Sequence, residues 1–196
     1  MAEKNLYSGE EEKEFFVWIN PNDPYANLNA NMIGSFVSVS NKDDNLMFLP
    51  NEHFSGYIST FQSNLLRGYQ AEYNLEIVRK EHFPEYPSRL VATFLFENIE
   101  EAEKYRLTHG FHVNDRQLKR GKTNGEYIYS KHDLSWIDFL RSPLVINENV
   151  RKEIICSYWQ GIPVSDFKLP LIDKTLSAVS DSVYEVLFIG RLDFIK

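Results

Sequence analysis

Apolar residues are distributed along this chain in two patterns, one typical of strands and one typical of helices. Continuous apolar runs of strand length stand at Phe15–Ile19, at Leu90–Phe96 and in the terminal segment Tyr184–Ile195. Apolar residues instead recur every three or four positions between about Gly56 and Lys80, which predicts an amphipathic helix, or two helices broken near Gly68. The chain therefore mixes both element types.

Turn and capping residues place the remaining elements. Asn98, with Glu101 three positions later, predicts the start of a helix that runs to about Arg106. Further predicted elements are a strand at Ser35–Ser40, a basic turn at 114–125, a strand at Glu126–Ser130, a turn or short helix at His132–Trp136, and a helix capped by Asn147 and ended by Gly161. This order predicts one mixed domain, α/β or α+β, over 14–196, behind a flexible acidic leader at 1–13.

The composition excludes several classes of protein. The 196 residues carry a formal net charge of -7, which argues against a surface coated in positive charge for nucleic-acid backbones. A single cysteine, Cys156, allows no internal disulfide and no thiolate metal cluster, and it fits a reducing, cytoplasmic setting. No apolar run is long enough to span a membrane, and the acidic start of the chain is not a secretory signal.

Short motifs of known chemistry are mostly missing from the chain. It has no Walker loop, no dinucleotide-binding glycine fingerprint and no His-Glu-x-x-His metal motif. The closest histidine pair, His109 and His112, has a spacing that suits a metal poorly on a strand or loop, so a solvated loop is the favoured interpretation. We expect no metal requirement.

Glu185 is the residue whose position most suggests chemistry. Strand alternation places it on the same face as Leu187 and Ile189, inside an apolar run. An unpaired carboxylate beside that face would be costly, so Glu185 is expected either at a sheet edge or in a catalytic role. By pattern alone, an ordinary carboxylate at the end of a strand is the simpler interpretation.

A second block carries a resemblance to a known family. Ser88 and Arg89 enter a buried strand that ends in Phe94-Leu-Phe96, and Glu100-Glu-Ala102 follows on a helix. Together with a terminal Glu185 strand pair in the same chain order, this block resembles the ADP-ribosyltransferase superfamily, and most closely its uncharacterised bacterial branch with a Pro-Ser-Arg motif, Pro87-Ser88-Arg89 here. The resemblance covers roughly residues 76–195.

The resemblance implies a fold and an activity. The fold would be α+β, with a mixed, mainly antiparallel split β-sheet core flanked by helices. The activity would be transfer of ADP-ribose from NAD to a protein or nucleic-acid acceptor, as in a bacterial toxin or phage-defence effector with an antitoxin or chaperone partner. Glu185 would be the catalytic residue and Arg89 would bind the cofactor. Ser88 would support the cleft wall, and Tyr86 or Trp136 would stack on nicotinamide.

The chain departs from the superfamily at one point, which keeps other functions open. The first core strand of the superfamily usually supplies an Arg or His that grips the cofactor, and Phe15–Ile19 has neither. Either Arg89 or Arg79 takes that role, or the first strand lies elsewhere, or NAD binding has been lost. The last case predicts a non-catalytic binding module on the same scaffold. A third hypothesis, nucleic-acid binding, draws on the basic residues between Arg116 and Lys122.

Overall fold

The protein contains strands and helices over most of the region described. The computed structural model describes residues 5–22, 28–37, 69–141, 148–166, 168–170, 175–177 and 182–195. The expected helix start at Gly56, the break at Gly68 and the cap at Asn147 lie outside these residues.

Ten strands and five α-helices are found in the described residues. The strands are β1 (Leu6–Gly9), β2 (Glu14–Ile19), β3 (Ser35–Val37), β4 (Thr93–Leu95), β5 (Gln117–Thr123), β6 (Tyr127–Asp133), β7 (Lys168–Pro170), β8 (Thr175–Ser177), β9 (Tyr184–Ile189) and β10 (Arg191–Phe194). The helices are α1 (Tyr69–His82), α2 (Ile99–Thr108), α3 (Gly110–Val113), α4 (Ser135–Arg141) and α5 (Glu148–Trp159). A π-helical segment spans Leu28–Ile33 and a 3-10 turn spans Val164–Asp166.

Two four-stranded antiparallel sheets organise the fold. The first sheet has the strand order β1-β6-β9-β4 and the second has the order β2-β5-β10-β3. β7 and β8 form a separate pair. The sheets are linked where Phe16 of β2 and Phe96, just after β4, exchange two backbone hydrogen bonds. The expected α+β class is confirmed at this level, whereas the ADP-ribosyltransferase-like arrangement stays a prediction.

Each face of the first sheet has its own core. One face packs toward the second sheet through Tyr129, Val186 and Phe188, which meet Phe15 and Leu192. The other face packs against helices α1, α4 and α5 and buries a cluster of large apolar side chains. That cluster includes Leu75, Trp136, Ile154, Tyr158, Trp159 and Leu187. Consecutive residues of β6 and β9 therefore enter different cores.

Several predicted elements are present with shifted ends. The runs at Phe15–Ile19 and Tyr184–Ile195 form β2, β9 and β10, and the helix predicted at Asn98 is α2. Asn98 caps that helix as expected, because its side-chain oxygen accepts the Glu101 backbone N–H at 2.8 Å. Gly161 follows α5 with φ +69°, the left-handed conformation expected of a residue that ends a helix.

Two predictions about the basic and acidic segments were wrong. Residues 6–9, assigned to a flexible leader, form β1 and pair with β6. Residues 117–123, assigned to a basic turn, form β5, which lies between β2 and β10. Neither segment is a continuous or alternating apolar run, so pairing with other strands determines their structure. No helix in the described part of the chain is long and apolar enough to cross a membrane.

Candidate functional site

Glu185 occupies a central strand and points toward the helices. β9 lies between β6 and β4, which excludes the sheet-edge position, one of the two alternatives that the sequence left open. Alternation places Glu185 on the face of Leu187, as the sequence predicted, and opposite His132 of β6. The side chain is only 3 % exposed. A carboxylate in this position must be paired by other buried groups to be tolerated.

Arg89 supplies that pairing from the segment before β4. Its Nη1 donates to Glu185 Oε1 and to the Tyr158 hydroxyl, the latter at 2.6 Å. Its Nε donates to Glu72 Oε2 at 2.7 Å, and its Nη2 donates to Glu72 Oε1 at 3.3 Å. The Tyr158 hydroxyl in turn donates to Glu185 Oε1 at 2.7 Å. One guanidinium thus holds two carboxylates, which come from α1 and β9.

A second ion pair lies on the same helix, one turn away from Glu72. Arg79 donates from Nε and Nη2 to the two oxygens of Glu76, at 3.0 and 2.8 Å. The Ser88 hydroxyl donates to Glu76 Oε2 at 2.8 Å. Because Ser88 and Arg89 are adjacent, the Pro-Ser-Arg motif contacts both pairs. We call Glu72, Glu76, Arg79, Ser88, Arg89, Tyr158 and Glu185 the buried charge cluster.

The buried charge cluster contains more negative than positive groups. It has three carboxylates and two guanidiniums, and all five side chains are buried. Burial raises the pKa of the Glu185 carboxyl, although Arg89 and the Tyr158 hydroxyl oppose that rise. Burial also disfavours the charge on Arg89, but Glu185 and Glu72 outweigh it and hold the pKa of Arg89 well above its usual range. Buried ion pairs add little to the stability of a fold, and groups with strongly shifted pKa values are concentrated at functional sites. We therefore treat the cluster as the candidate functional site.

His132 extends the cluster toward the N-terminal segment. Its ring stacks on the Tyr158 ring, with centroids 4.5 Å apart. Nδ1 lies 2.9 Å from the Tyr158 carbonyl oxygen, which can only accept, so Nδ1 carries the proton and Nε2 accepts from the Ser130 hydroxyl at 2.7 Å. Burial lowers the pKa of His132 to about 3, helped by the nearby Arg89 charge. His132 is therefore neutral at physiological pH.

Asn5 covers this histidine from the segment before β1. Its Nδ2 donates to the backbone oxygens of Lys131 and Trp159, at 2.9 and 3.3 Å. Its Oδ1 accepts the Tyr86 hydroxyl at 2.7 Å. Tyr86 also contacts the His132 and Trp159 rings, with centroids 6.0 and 6.3 Å away. The start of the described chain thus packs against the aromatic side of the site.

The residues expected in the site divide into three groups. Glu185, Arg89 and Ser88 are brought together in the buried charge cluster, although Ser88 and Glu185 contact different groups. Tyr86 lies beside the cluster next to His132. Trp136 is 1 % exposed, packs in the helical core and donates to the Ile162 carbonyl oxygen at 2.6 Å. Stacking on a ligand would require Trp136 to leave that core.

Helical spacing was the sequence signal that could have found the other members. Glu72, Glu76 and Arg79 follow one another at intervals of four and three residues, on a helix whose apolar residue Leu75 is fully buried. Charged residues at these intervals are usually assigned to a solvated face. Here they line the buried side of α1. Arg79, considered for gripping the cofactor, is bound to Glu76 and to the carbonyl oxygens of two residues in the following turn.

The cluster is closed in this conformation. Two nitrogens of Arg89 contact Glu72 and the third contacts both Glu185 and Tyr158. These contacts use four of the five N–H donors of the guanidinium, so it grips a further anion with two hydrogen bonds only by releasing one of its partners. Within the described residues, no group of three or more histidine, cysteine, aspartate or glutamate side chains is arranged to hold a metal ion. What the cluster offers chemically is a carboxylate with a raised pKa next to a guanidinium.

Comparison with models of protein families identifies the family of this chain. A family model described as a protein of unknown function, DUF2441, matches residues 5–186, which include Asn5 and every member of the buried charge cluster. No curated protein matches the chain.

Proposed function

We propose that this chain, which belongs to the DUF2441 family, is an enzyme of the ADP-ribosyltransferase type that uses NAD as its substrate. The proposed catalytic residue is Glu185, and the proposed ligand of the NAD phosphates or ribose is Arg89. The observation that carries the proposal is the direct ion pair between these two residues, 96 positions apart in the chain. They are also the two residues that the resemblance selects.

The composition of the cluster supports a catalytic role over a purely structural one. Hydrophobic residues of similar volume stabilise a core as well as buried ion pairs do, or better. A cluster with a surplus carboxylate therefore costs stability, and such costs are concentrated at functional sites. The α+β architecture with two antiparallel sheets is also compatible with the proposed superfamily.

The proposed reaction asks two things of the cluster. Arg89 must leave Glu185 for the pyrophosphate, which a guanidinium can grip with two hydrogen bonds. The released Glu185 carboxylate must then face the ribose. There it would stabilise the positive charge that develops as the nicotinamide–ribose bond breaks and nicotinamide leaves with the bonding electrons. The acceptor nucleophile then forms the new bond to the ribose carbon and loses a proton.

The test is nicotinamide release from NAD, and the chain offers a matched control. Glu185→Gln removes the proposed catalytic charge, whereas Glu76→Gln makes the same substitution at another buried carboxylate that is paired with an arginine. We expect release by the wild-type protein with cell extract as acceptor source, retention of release in Glu76→Gln and loss in Glu185→Gln. Equal activity of both variants, or no release by the wild type, would contradict the proposal.

A non-catalytic binding module on the same scaffold is the second candidate. The observation that favours it is that β2 carries no Arg or His, as the sequence indicated. This candidate predicts no NAD binding by calorimetry and no functional effect of Glu185→Gln.

The acceptor is proposed to be a protein or a nucleic acid, in a cytoplasmic toxin or phage-defence setting with an antitoxin or chaperone as partner. The basic residues of β5 provide little support for nucleic acid. Arg120 and Lys122 each bind a carboxylate, from Glu14 and Glu12. These pairs lower the positive potential of the strand. A protein acceptor is therefore favoured, and salt-independent interaction with the acceptor would be consistent with it.

A further inference from the structure

A second group of charged residues lies on the opposite face of the first sheet. Lys131 follows Ser130 and precedes His132 on β6, so its side chain points toward the second sheet and away from Glu185. Lys131 Nζ donates to Glu97 Oε2 and Lys13 Nζ donates to Glu97 Oε1, each at 2.9 Å. Glu97 directly follows Phe96, which links β4 to β2. The group therefore marks the junction between the two sheets.

This junction is open to solvent and carries a surplus of positive charge. The side chains of Lys13, Lys131 and Glu97 are 33 %, 28 % and 30 % exposed, in contrast to the buried charge cluster. Two cations share one carboxylate, whereas Arg120 and Lys122 elsewhere on the protein each have their own. In a chain with a net charge of -7, a local excess of cations is a distinctive feature. It favours an anionic ligand.

Ammonium hydrogens remain available at the junction for such a ligand. Each lysine ammonium has three N–H donors. Within the described residues, Lys131 uses one of them on Glu97, and Lys13 uses one on Glu97 and one on the Tyr129 hydroxyl. Two N–H donors of Lys131 and one of Lys13 are thus left for phosphate oxygens, and both ammonium groups lie next to the Glu97 carboxylate. Lysine binds phosphate as a point charge, so no bidentate geometry is required.

Tyrosine rings adjoin the two lysines. Lys13 Nζ lies 4.5 Å from the Tyr129 ring centroid, and Lys131 Nζ lies 5.0 Å from that of Tyr184. Tyr7 of β1 stacks on Tyr129 with centroids 4.8 Å apart and an interplanar angle of 15°, and it is 45 % exposed. Tyr7 is the exposed end of this ring stack, and Lys13 Nζ lies 5.7 Å from its ring centroid. Planar bases stack on such rings.

We propose that Lys13 and Lys131, together with the Tyr7–Tyr129 stack, form a binding site for a nucleoside phosphate. The two ammonium groups bind the phosphate, and the exposed Tyr7 ring stacks on the base. Glu97 holds the two lysines in place and weakens binding through its own charge. This site goes beyond the proposed transferase activity, because it faces away from Glu185 and includes no member of the buried charge cluster.

The experiment measures binding of ADP by calorimetry, with inorganic phosphate and adenosine as separate probes. Lys131→Gln should weaken ADP binding about tenfold, the effect of losing one charge-assisted hydrogen bond. Glu97→Gln should tighten it, because a competing negative charge is removed. Lys122→Gln, which removes the same charge from an exposed ion pair on β5, should leave affinity unchanged. Tyr7→Ala should weaken the binding of ADP but not of phosphate.

Several results would overturn this site. They are the absence of ADP binding to the wild-type protein, wild-type affinity in Lys131→Gln, weaker binding in Glu97→Gln, or equal effects of Tyr7→Ala on ADP and phosphate. Wild-type ADP affinity in both Lys131→Gln and Glu97→Gln would identify the lysines and Glu97 as an ion-pair contact that only joins the sheets. Loss of nicotinamide release in Glu185→Gln and loss of ADP affinity in Lys131→Gln are independent measurements, so failure of the transferase proposal and failure of this site are separate outcomes.

Discussion

Protonation of His132 should make the protein markedly less stable in mild acid. The folded state holds this imidazole neutral, with a pKa of about 3, against 6.5 for an ordinary histidine. Between these two pH values the unfolded chain binds a proton that the folded protein excludes, so the free energy of unfolding must rise with pH across this window. The contribution of the neutral His132 to the free energy of unfolding is fully present above pH 6.5 and is lost as pH falls toward 3.

The size of this effect follows from the two pKa values. The full difference corresponds to about 5 kcal/mol, and the part lost between pH 6.5 and pH 4.5 is about 3 kcal/mol. Glu185 acts in the opposite direction, because its raised pKa stabilises the folded protein most below about pH 4.5 and less as pH rises. A comparison of variants is needed to separate the two groups.

The assay is urea unfolding, followed by tryptophan fluorescence, at pH 7 and at pH 4.5. His132→Asn removes the titrating ring but keeps an N–H donor near the Tyr158 carbonyl oxygen. The variant should be less stable at pH 7, yet its stability should fall by about 3 kcal/mol less than that of the wild type between the two pH values. Glu185 is present in both proteins, so its contribution largely cancels. Equal losses in the two proteins would refute the assignment of a buried neutral His132.

Two substitutions test the other stabilising contacts. Arg89→Met should lower the free energy of unfolding by about 3–5 kcal/mol, because it leaves two buried carboxylates without their cation. Arg106→Met, at an exposed ion pair, should lower it by less than about 1 kcal/mol. Equal losses for the two variants in chemical denaturation would contradict this difference. Asn98→Ala should cost about 1 kcal/mol by removing the N-cap of α2, and an unchanged thermal midpoint would contradict that contribution.

The sequence predicted those elements whose structure depends on local pattern. The run at Phe15–Ile19 alternates between two environments and became β2, and the side-chain cap at Asn98 defined the start of α2. β1 and β5 were missed because neither is a continuous or alternating apolar run, and both are held by pairing with distant strands, β1 with β6 and β5 with β2 and β10. Such long-range pairing leaves no periodic signal in a single sequence.

The sequence predicted some members of the candidate site but not that they are paired with one another and buried. Motif order selected Arg89 and Glu185, and the two are in contact. Their mutual neutralisation, and the additional carboxylate of Glu72, depend on α1 packing its charged side against the first sheet. Hydrophobic periodicity assigns charged residues to solvent, so a helix that buries three of them cannot be oriented from the sequence alone.

β1 has a consequence for how the protein can be shortened or fused. This four-residue strand covers the outer side of β6, and Asn5 attaches it to the end of α5 through the Trp159 carbonyl oxygen. Removing it would turn β6 into an open sheet edge with unpaired N–H and C=O groups, the kind of edge along which chains aggregate. The segment predicted to be a flexible acidic leader therefore covers an edge of the sheet, and an attachment point for a tag is better sought elsewhere on the surface.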